Sequence, residues 1–115
     1  MWLTGNLKIW LYKKPVDMRK SIDGLSIVVA DSLNVNPMNS EIFVFYNRYG
    51  DKIKILYCDK NGFCLWYKRL EKGQFKIPDS PSEHTITAEQ LRWLLDGLDI
   101  GQMKPIQVLH YQEVY

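Results

Sequence analysis

The sequence predicts an α+β fold, an antiparallel β-meander of four to five strands packed with two main α-helices. Residues 7–13 alternate apolar and polar side chains with the period of two that is typical of a strand. Between residues 41 and 77, three apolar segments are joined by two short loops that end in glycine. Residues 18–33 and 87–98 carry apolar side chains at helical spacing, which predicts two amphipathic helices.

The two short loops, residues 47–50 and 59–62, have the same chemical form. Each begins with Asn or Asp, which can hydrogen-bond its own backbone, and ends with Gly, which supplies the positive φ of a type I turn with a G1 bulge. Three-residue connections of this kind would place Asn47 opposite Asp51. They would also place Asp59 opposite Phe63. In this register all odd-numbered residues of the three strands share one face of the sheet.

The two faces that follow from this register differ in character. The odd face is apolar, and we expect both helices to cover it; it holds Phe43, Phe45, Ile53, Ile55, Tyr57, Phe63, Leu65 and Tyr67. The even face mixes cations with aromatic rings; it holds Ile42, Val44, Tyr46, Lys52, Lys54, Leu56, Cys58, Cys64, Trp66, Lys68 and Leu70. This amphipathic even face is where the sequence predicts a functional surface.

The segment before the meander predicts a strand over residues 7–13 and then a helix. Pro15 ends the strand, and Asp17 is placed to cap the helix. The buried side of this helix is marked by an apolar stripe of Met18, Ile22, Leu25, Val29 and Leu33. We expect the helix to stop near residues 34–37, and we expect Gly24 to mark close packing against the sheet.

The segment after the meander predicts a short strand over residues 74–77, a loop to Ile86 and a second helix. Thr87 and Gln90 have the spacing of a capping box, which satisfies free N–H groups at the start of a helix. The apolar stripe of this helix consists of Leu91, Leu94, Leu95 and Leu98. We expect it to end near residues 97–101.

The length and composition are those of one soluble domain. The chain has 115 residues, of which 46% are hydrophobic and 24% are charged. We assign residues 1–101 to a single domain. Residues 102–115 form an apolar tail that either docks as a strand or binds another chain. Apolar runs stay below the roughly 18 residues of a membrane span, and the first residues lack a signal-peptide pattern, so we expect a cytoplasmic protein without membrane contact.

The net charge of +2 conceals a segregation of charge along the chain. Residues 1–20 sum to +4 and residues 48–76 to +5. Residues 21–47 sum to −3 and residues 77–99 to −4. Such segregation can attract a polyanion to one surface, although scattered, solvated lysines would give the same totals.

The sequence predicts no catalytic centre, no metal site and no cofactor. In the predicted register Cys58 faces Cys64, and we interpret the pair as two reduced thiols, since a zinc site would need further ligands. The carboxylates that a two-metal nuclease would require have simpler structural interpretations as caps, turn residues or exposed helix residues; they are Asp17, Asp23, Asp51, Asp59 and Glu71.

A series of short motifs resembles a known family in order and spacing. The motifs are Asp17-Met18-Arg19-Lys20, Asp23-Gly24-Leu25, Phe43-Val44-Phe45, Gly50-Asp51, Ile53-Lys54, Asp59, Gly62, Phe63-Cys64-Leu65, Lys68-Arg69-Leu70-Glu71 and Gly73-Gln74-Phe75. Over about residues 7–100 the chain resembles the small accessory protein, called TnpB or the second-frame product, of bacterial insertion sequences of the sixty-six type. This family is unrelated to the RNA-guided nucleases that share the TnpB label.

The resemblance implies a protein that is encoded beside a separate, larger transposase and takes part in transposition. It implies no settled biochemical activity and no oligomeric state. The transposase of the same element is therefore the expected partner, and DNA is a further one.

Two kinds of surface follow from the residues themselves. The candidate nucleic-acid-binding residues are Arg19, Lys20, Arg48, Lys52, Lys54, Trp66, Lys68, Arg69 and Lys72, because cations pair with phosphates and a Trp ring can stack on a base. Arg19 and Lys20 would add free N–H groups at a helix start. The candidate protein-interface residues are Tyr46, Leu109, Tyr111 and Tyr115. The structural alternative is that the even face is core, with lysine amines reaching out at its rim.

Two functions are therefore expected. In the first, the chain is a non-catalytic assembly factor for a separate transposase. In the second, it is an accessory DNA-binding module of weak sequence specificity, since no sequence-reading motif is visible.

Overall fold

The computed structural model describes residues 7–78 and 85–97, which form a five-stranded sheet with a helix on each face. The elements, in chain order, are β1 (Ile9–Leu11), α1 (Ile22–Val28), β2 (Ile42–Tyr46), β3 (Lys52–Asp59), β4 (Gly62–Arg69), β5 (Thr85–Ile86) and α2 (Ala88–Leu95). The predicted α+β fold is confirmed.

The strands lie in the order β4-β3-β2-β1-β5. β2, β3 and β4 form the predicted antiparallel meander, whereas β1 pairs in parallel with β2 because α1 carries the chain back to the same end of the sheet. The expected loop before α2 is in part a strand, since Ile86 lies opposite Ile9. The strand expected over residues 74–77 does not form; instead Phe75 is buried, and its N–H donates to the carbonyl of Gly50.

The register predicted for both hairpins is wrong by one residue. Tyr46 lies opposite Ile53, and the N–H of Asn47 donates to the carbonyl of Lys52, so the first loop has the four residues 48–51. The side-chain oxygen of Asn47 accepts from the N–H of Lys52 and closes the loop one position later than predicted. Asp59 lies opposite Gly62, so the second loop has two residues. In that loop Lys60 takes the positive φ that the sequence prediction assigned to Gly62.

Because of this shift, even-numbered residues of β3 share a face of the sheet with odd-numbered residues of β2. Leu56 lies opposite Phe43 and joins the core under α1, together with Leu25 and Val29. Ile55 lies opposite Val44 and joins the other core, where Leu91 and Leu94 of α2 cover the sheet. The helices therefore cover opposite faces, and the expectation that both cover one odd-numbered face is wrong. Every residue of β2 is buried, because β2 lies between the two cores.

The same shift separates the two cysteines. Cys58 lies opposite Phe63, and Tyr57 lies opposite Cys64, so the thiols point to different faces and cannot form a cross-strand disulfide. Both cysteines are free. Burial, with a hydrogen bond to Cys64 as a smaller cause, raises the pKa of Tyr57.

α1 begins later than the sequence predicted. Its N-cap position is Ser21, whereas Asp17 caps a turn before the helix by accepting from the N–H of Arg19. The helix continues as a π-helix over Val29–Leu33 and ends at Asn34, which has a left-handed φ of 53°, as expected for the stop. The predicted apolar stripe is confirmed, since all its members belong to the core under α1. Gly24 does not mark contact with the sheet, because its nearest neighbour is the side chain of Lys20.

α2 matches its prediction closely. The Thr87 side chain accepts from the N–H of Gln90, and the Gln90 side chain accepts from the N–H of Thr87, which completes the capping box. Leu91, Leu94 and Leu95 are buried, as the stripe predicts. Leu98 and the tail over residues 102–115 lie outside the described residues.

Candidate nucleic-acid interface at the basic end of the sheet

Lys54 holds the segment that leads into α1. It lies on the face of the sheet that α1 covers, and its Nζ donates to the carbonyl oxygens of Met18, at 2.7 Å, and Lys20, at 2.9 Å. The same amine lies 5.5 Å from the centre of the Tyr67 ring. A cation that satisfies two backbone carbonyls and contacts a ring is used to anchor the chain.

Lys68 has the corresponding role on the opposite face. Its Nζ donates to the carbonyl of Leu95, the last residue of α2, at 2.8 Å. A cation at this position satisfies a carbonyl that has no partner within the helix and complements the negative end of the helix dipole. Trp66 packs against the core on this face. The prediction that Lys54, Trp66 and Lys68 share one surface is therefore wrong.

Arg19 is paired within its own turn. One of its guanidinium nitrogens lies 2.6 Å from a carboxylate oxygen of Asp17. Side-chain and backbone hydrogen bonds from Arg19 lower the pKa of Asp17 to about 2. Because α1 begins at Ile22, Arg19 and Lys20 precede the helix, and the expected phosphate site at its first turn does not form.

The topology gathers other cations at one end of the sheet. β1 and β2 end there, β3 begins there and β4 ends there. The six cations that follow or begin these strands, which we call the basic end, are Lys13, Lys14, Arg48, Lys52, Arg69 and Lys72. Their segments are joined by backbone bonds, since the N–H of Val16 donates to Tyr46 and the N–H of Leu70 donates to Asp51.

Two of the six cations are paired with carboxylates. Asp51 lies 3.4 Å from the amine of Lys52, and Glu71 lies 3.0 Å from the guanidinium of Arg69. A hydrogen bond from the Asn47 side chain is the largest cause that lowers the pKa of Asp51. Both contacts are on the surface, so they neutralise the basic end only in part and leave it with an excess of positive charge.

The opposite end of the sheet is electrically balanced. Lys8, Glu41, Asp59 and Lys60 lie there. The last three line an open cavity of about 620 Å³ together with Leu7. The amine of Lys8 lies over the ring of Trp10 on β1, and the carboxylate of Glu41 accepts from the ring N–H of Trp10. The four charges named at this end therefore cancel, whereas those of the basic end do not.

The basic end contains four of the predicted nucleic-acid-binding residues, namely Arg48, Lys52, Arg69 and Lys72. Lys13 and Lys14 also lie at the basic end and are not among the predicted residues, although the charge excess of residues 1–20 pointed to them. Tyr46 is buried, and its hydroxyl donates to the carbonyl of Lys13, so it is not an exposed interface residue. Leu109, Tyr111 and Tyr115 lie outside the described residues.

Residues 7–78 and 85–97 show neither a metal-ligand cluster nor a membrane span. Among these residues, no group of three or more His, Cys, Asp or Glu side chains could hold a metal ion. No helix in these ranges is long and apolar enough to cross a membrane.

The family comparison agrees with the fold and with the sequence motifs. The model of a family described as IS66 Orf2 like protein matches residues 7–105, which include all five strands and both helices.

The chain belongs to this family. An IS66 Orf2-like protein is an accessory protein of an insertion sequence, which agrees with the resemblance found in the motifs.

Two relatives from Sinorhizobium fredii are similar to this IS66 Orf2-like protein along most of its length. Uncharacterized protein y4hO is 35% identical over 95 residues, which cover 82% of this chain and 83% of the relative. Uncharacterized protein y4jC is 33% identical over 99 residues, which cover 85% of each chain. No solved structure matches the chain significantly.

The position of Lys68 in this IS66 Orf2-like protein predicts a stabilising role. We expect Lys68→Met to lower the free energy of unfolding by about 1 kcal/mol, because the Leu95 carbonyl loses its charged donor. Urea denaturation followed by circular dichroism measures the change. The matched control is Lys72→Met in an exposed turn, where we expect a change within about 0.5 kcal/mol. Equal stability of the two variants would contradict the role of Lys68.

Proposed function

We propose that this protein is a non-catalytic accessory factor that helps a separate transposase assemble on the DNA of its insertion sequence. It contacts DNA phosphates through the basic end and contacts the transposase through its apolar tail. The observation that supports the DNA contact is the concentration of six cations, only two of them paired with carboxylates, at one end of the sheet. The family membership supplies the context of transposition.

The basic end is suited to phosphates because five of its six cations are exposed and the cations come from three separate stretches of the chain. Lys13 and Lys14 follow β1, Arg48 lies in the first hairpin loop, and Arg69 and Lys72 lie at and after the end of β4. Cations spread in this way can contact successive phosphates, and each contact releases counterions, so we expect affinity to fall steeply with salt.

The described helices give no support for sequence reading. α1 has seven residues and α2 has eight, and each buries its apolar side against the sheet. A recognition helix must instead present side chains to the bases in the major groove. We therefore expect the DNA contact to be weakly specific, with the transposase supplying the recognition of the element's ends.

The proposed transposase contact rests on composition. Residues 102–115 include the apolar or aromatic side chains Ile106, Val108, Leu109, Tyr111, Val114 and Tyr115. A terminal segment with this composition is suited to burial against another surface.

Charge reversal at the basic end tests the DNA contact. We expect Lys14→Glu combined with Arg48→Glu to weaken binding of labelled element-end DNA by roughly tenfold or more in dilute salt. We also expect the slope of log K against log salt to become shallower by about two contacts. Fluorescence anisotropy over a series of salt concentrations measures both quantities.

The matched control reverses two charges at the balanced end, with Lys8→Glu and Lys60→Glu. This control changes the net charge by the same amount. If the DNA site lies at the basic end, the control should lose clearly less DNA affinity than the variant with Lys14→Glu and Arg48→Glu. If both double variants lose affinity equally, only the net charge matters and the proposed site is wrong. If the unaltered protein binds no DNA in dilute salt, the DNA contact is wrong altogether.

Deletion of the tail tests the transposase contact. We expect the chain without residues 102–115 to keep its circular dichroism spectrum and its DNA affinity but to stop co-purifying with the transposase of its element. The full chain carrying the two changes at the basic end is the control, and in the absence of DNA it should still co-purify. Co-purification of the shortened chain would remove the tail from the interface.

A further inference from the structure

Tyr49 is an exposed aromatic residue on a loop whose backbone is firmly held. It lies between β2 and β3, and 76% of its surface is exposed. The Gln74 side chain donates to the carbonyl of Tyr49 at 2.6 Å, and the N–H of Phe75 donates to the carbonyl of Gly50 at 2.7 Å. The N–H of Gly50 in turn donates to the carbonyl of Asn47 at 3.1 Å. The backbone that carries the ring is therefore bonded from both sides.

The segment that holds this loop is itself anchored in the core. Phe75 is 3% exposed and belongs to the cluster under α2. Gly50 has a φ of 76°, a left-handed conformation that glycine adopts without strain, and this conformation turns the chain directly after Tyr49. Because the backbone of this loop is already ordered, a ligand that binds the Tyr49 ring costs the loop little further conformational entropy.

The ring of Tyr49 is exposed in a segment rich in cations. Tyr49 follows Arg48 in the chain, and its loop leads into Lys52, so it lies at the basic end. Within residues 7–78 and 85–97 the Tyr49 ring makes no ring-to-ring or cation–π contact. Tyr67, the other strongly exposed tyrosine, lies instead beside the amine of Lys54. Most of the surface of Tyr49 is thus available to a ligand.

We infer that Tyr49 stacks on an unpaired nucleobase, so that the basic end binds single-stranded DNA in preference to duplex DNA. The inference rests on the proposed function and names its substrate class. A flat ring among phosphate-binding cations is the arrangement by which proteins hold single strands, since every base offers a π face. In an intact duplex those faces are covered by neighbouring bases, and the Tyr49 ring has nothing to stack on.

The cations favour nucleic acid over a protein partner for this loop. Tyr and Arg are also common at the centres of protein interfaces. Such a centre is typically depleted of charged side chains, whereas the segments around Tyr49 carry Arg48, Lys52 and Lys72. A protein contact through Tyr49 is therefore kept as an outcome of the test.

The test compares a labelled single strand with the duplex of the same sequence, by fluorescence anisotropy in dilute salt. We expect the unaltered protein to bind the single strand more tightly. We expect Tyr49→Leu to lower single-strand affinity roughly tenfold and to leave duplex affinity unchanged, whereas Tyr49→Phe keeps the stacking ring and stays near the unaltered value. Tyr67→Leu is the matched control, since it removes an exposed tyrosine from β4, and it should leave both affinities unchanged.

A second readout reports stacking directly. An oligonucleotide that contains 2-aminopurine should change its fluorescence on binding the unaltered protein and Tyr49→Phe, but much less on saturation with Tyr49→Leu. If the unaltered protein binds single strand and duplex with equal affinity and Tyr49→Leu changes neither affinity, the stacking inference is wrong. The phosphate contact would then still stand. Absence of any DNA binding overturns both. Loss of transposase co-purification in Tyr49→Leu with both DNA affinities unchanged assigns the loop to a protein contact and overturns the inference.

Discussion

The alignment of β3 between its two neighbours is the constraint on which the rest of this structure depends. With Ile53 opposite Tyr46 and Asp59 opposite Gly62, adjacent residues of β3 enter different cores. Ile55 joins α2, and Leu56 joins α1. A slip of one residue would exchange these side chains between the faces, so the packing of both helices opposes it. As a consequence, one helix packs on each face of the sheet.

The lysines divide into two groups because of that alignment. Lys54 and Lys68 emerge on opposite faces, close to backbone carbonyls that need donors, and they fasten the entry to α1 and the end of α2. The cations that are left exposed gather where strands end or begin. The parallel pairing of β1 with β2 brings Lys13 and Lys14 beside the first hairpin loop. The same connectivity that builds the sheet therefore builds the proposed phosphate surface.

Local sequence patterns predicted the helices and strands. Contacts between residues further apart in the chain set the features that those patterns did not predict. The capping box of Thr87 and the stripe of α1 are set within a few residues, so the sequence predicted both helices. The hairpin register depended on a bond from the Asn47 side chain and on a positive φ at Lys60, where glycine stood two residues further along. That register separates Lys54 from Trp66 and Lys68. The later start of α1 removes Arg19 and Lys20 from the predicted phosphate site. The basic end itself needs the parallel pairing of β1 and β2, which no short motif encodes.

The most direct test of this account is a nuclear Overhauser experiment on a sample with labelled methyl groups. It compares the contacts of Ile55 and Leu56, two neighbours in the chain. The account predicts contacts from Ile55 methyls to the buried leucines of α2 and contacts from Leu56 methyls to Phe43 and Leu25. Contacts from both residues to the same helix, or an exchange of their partners, would contradict it.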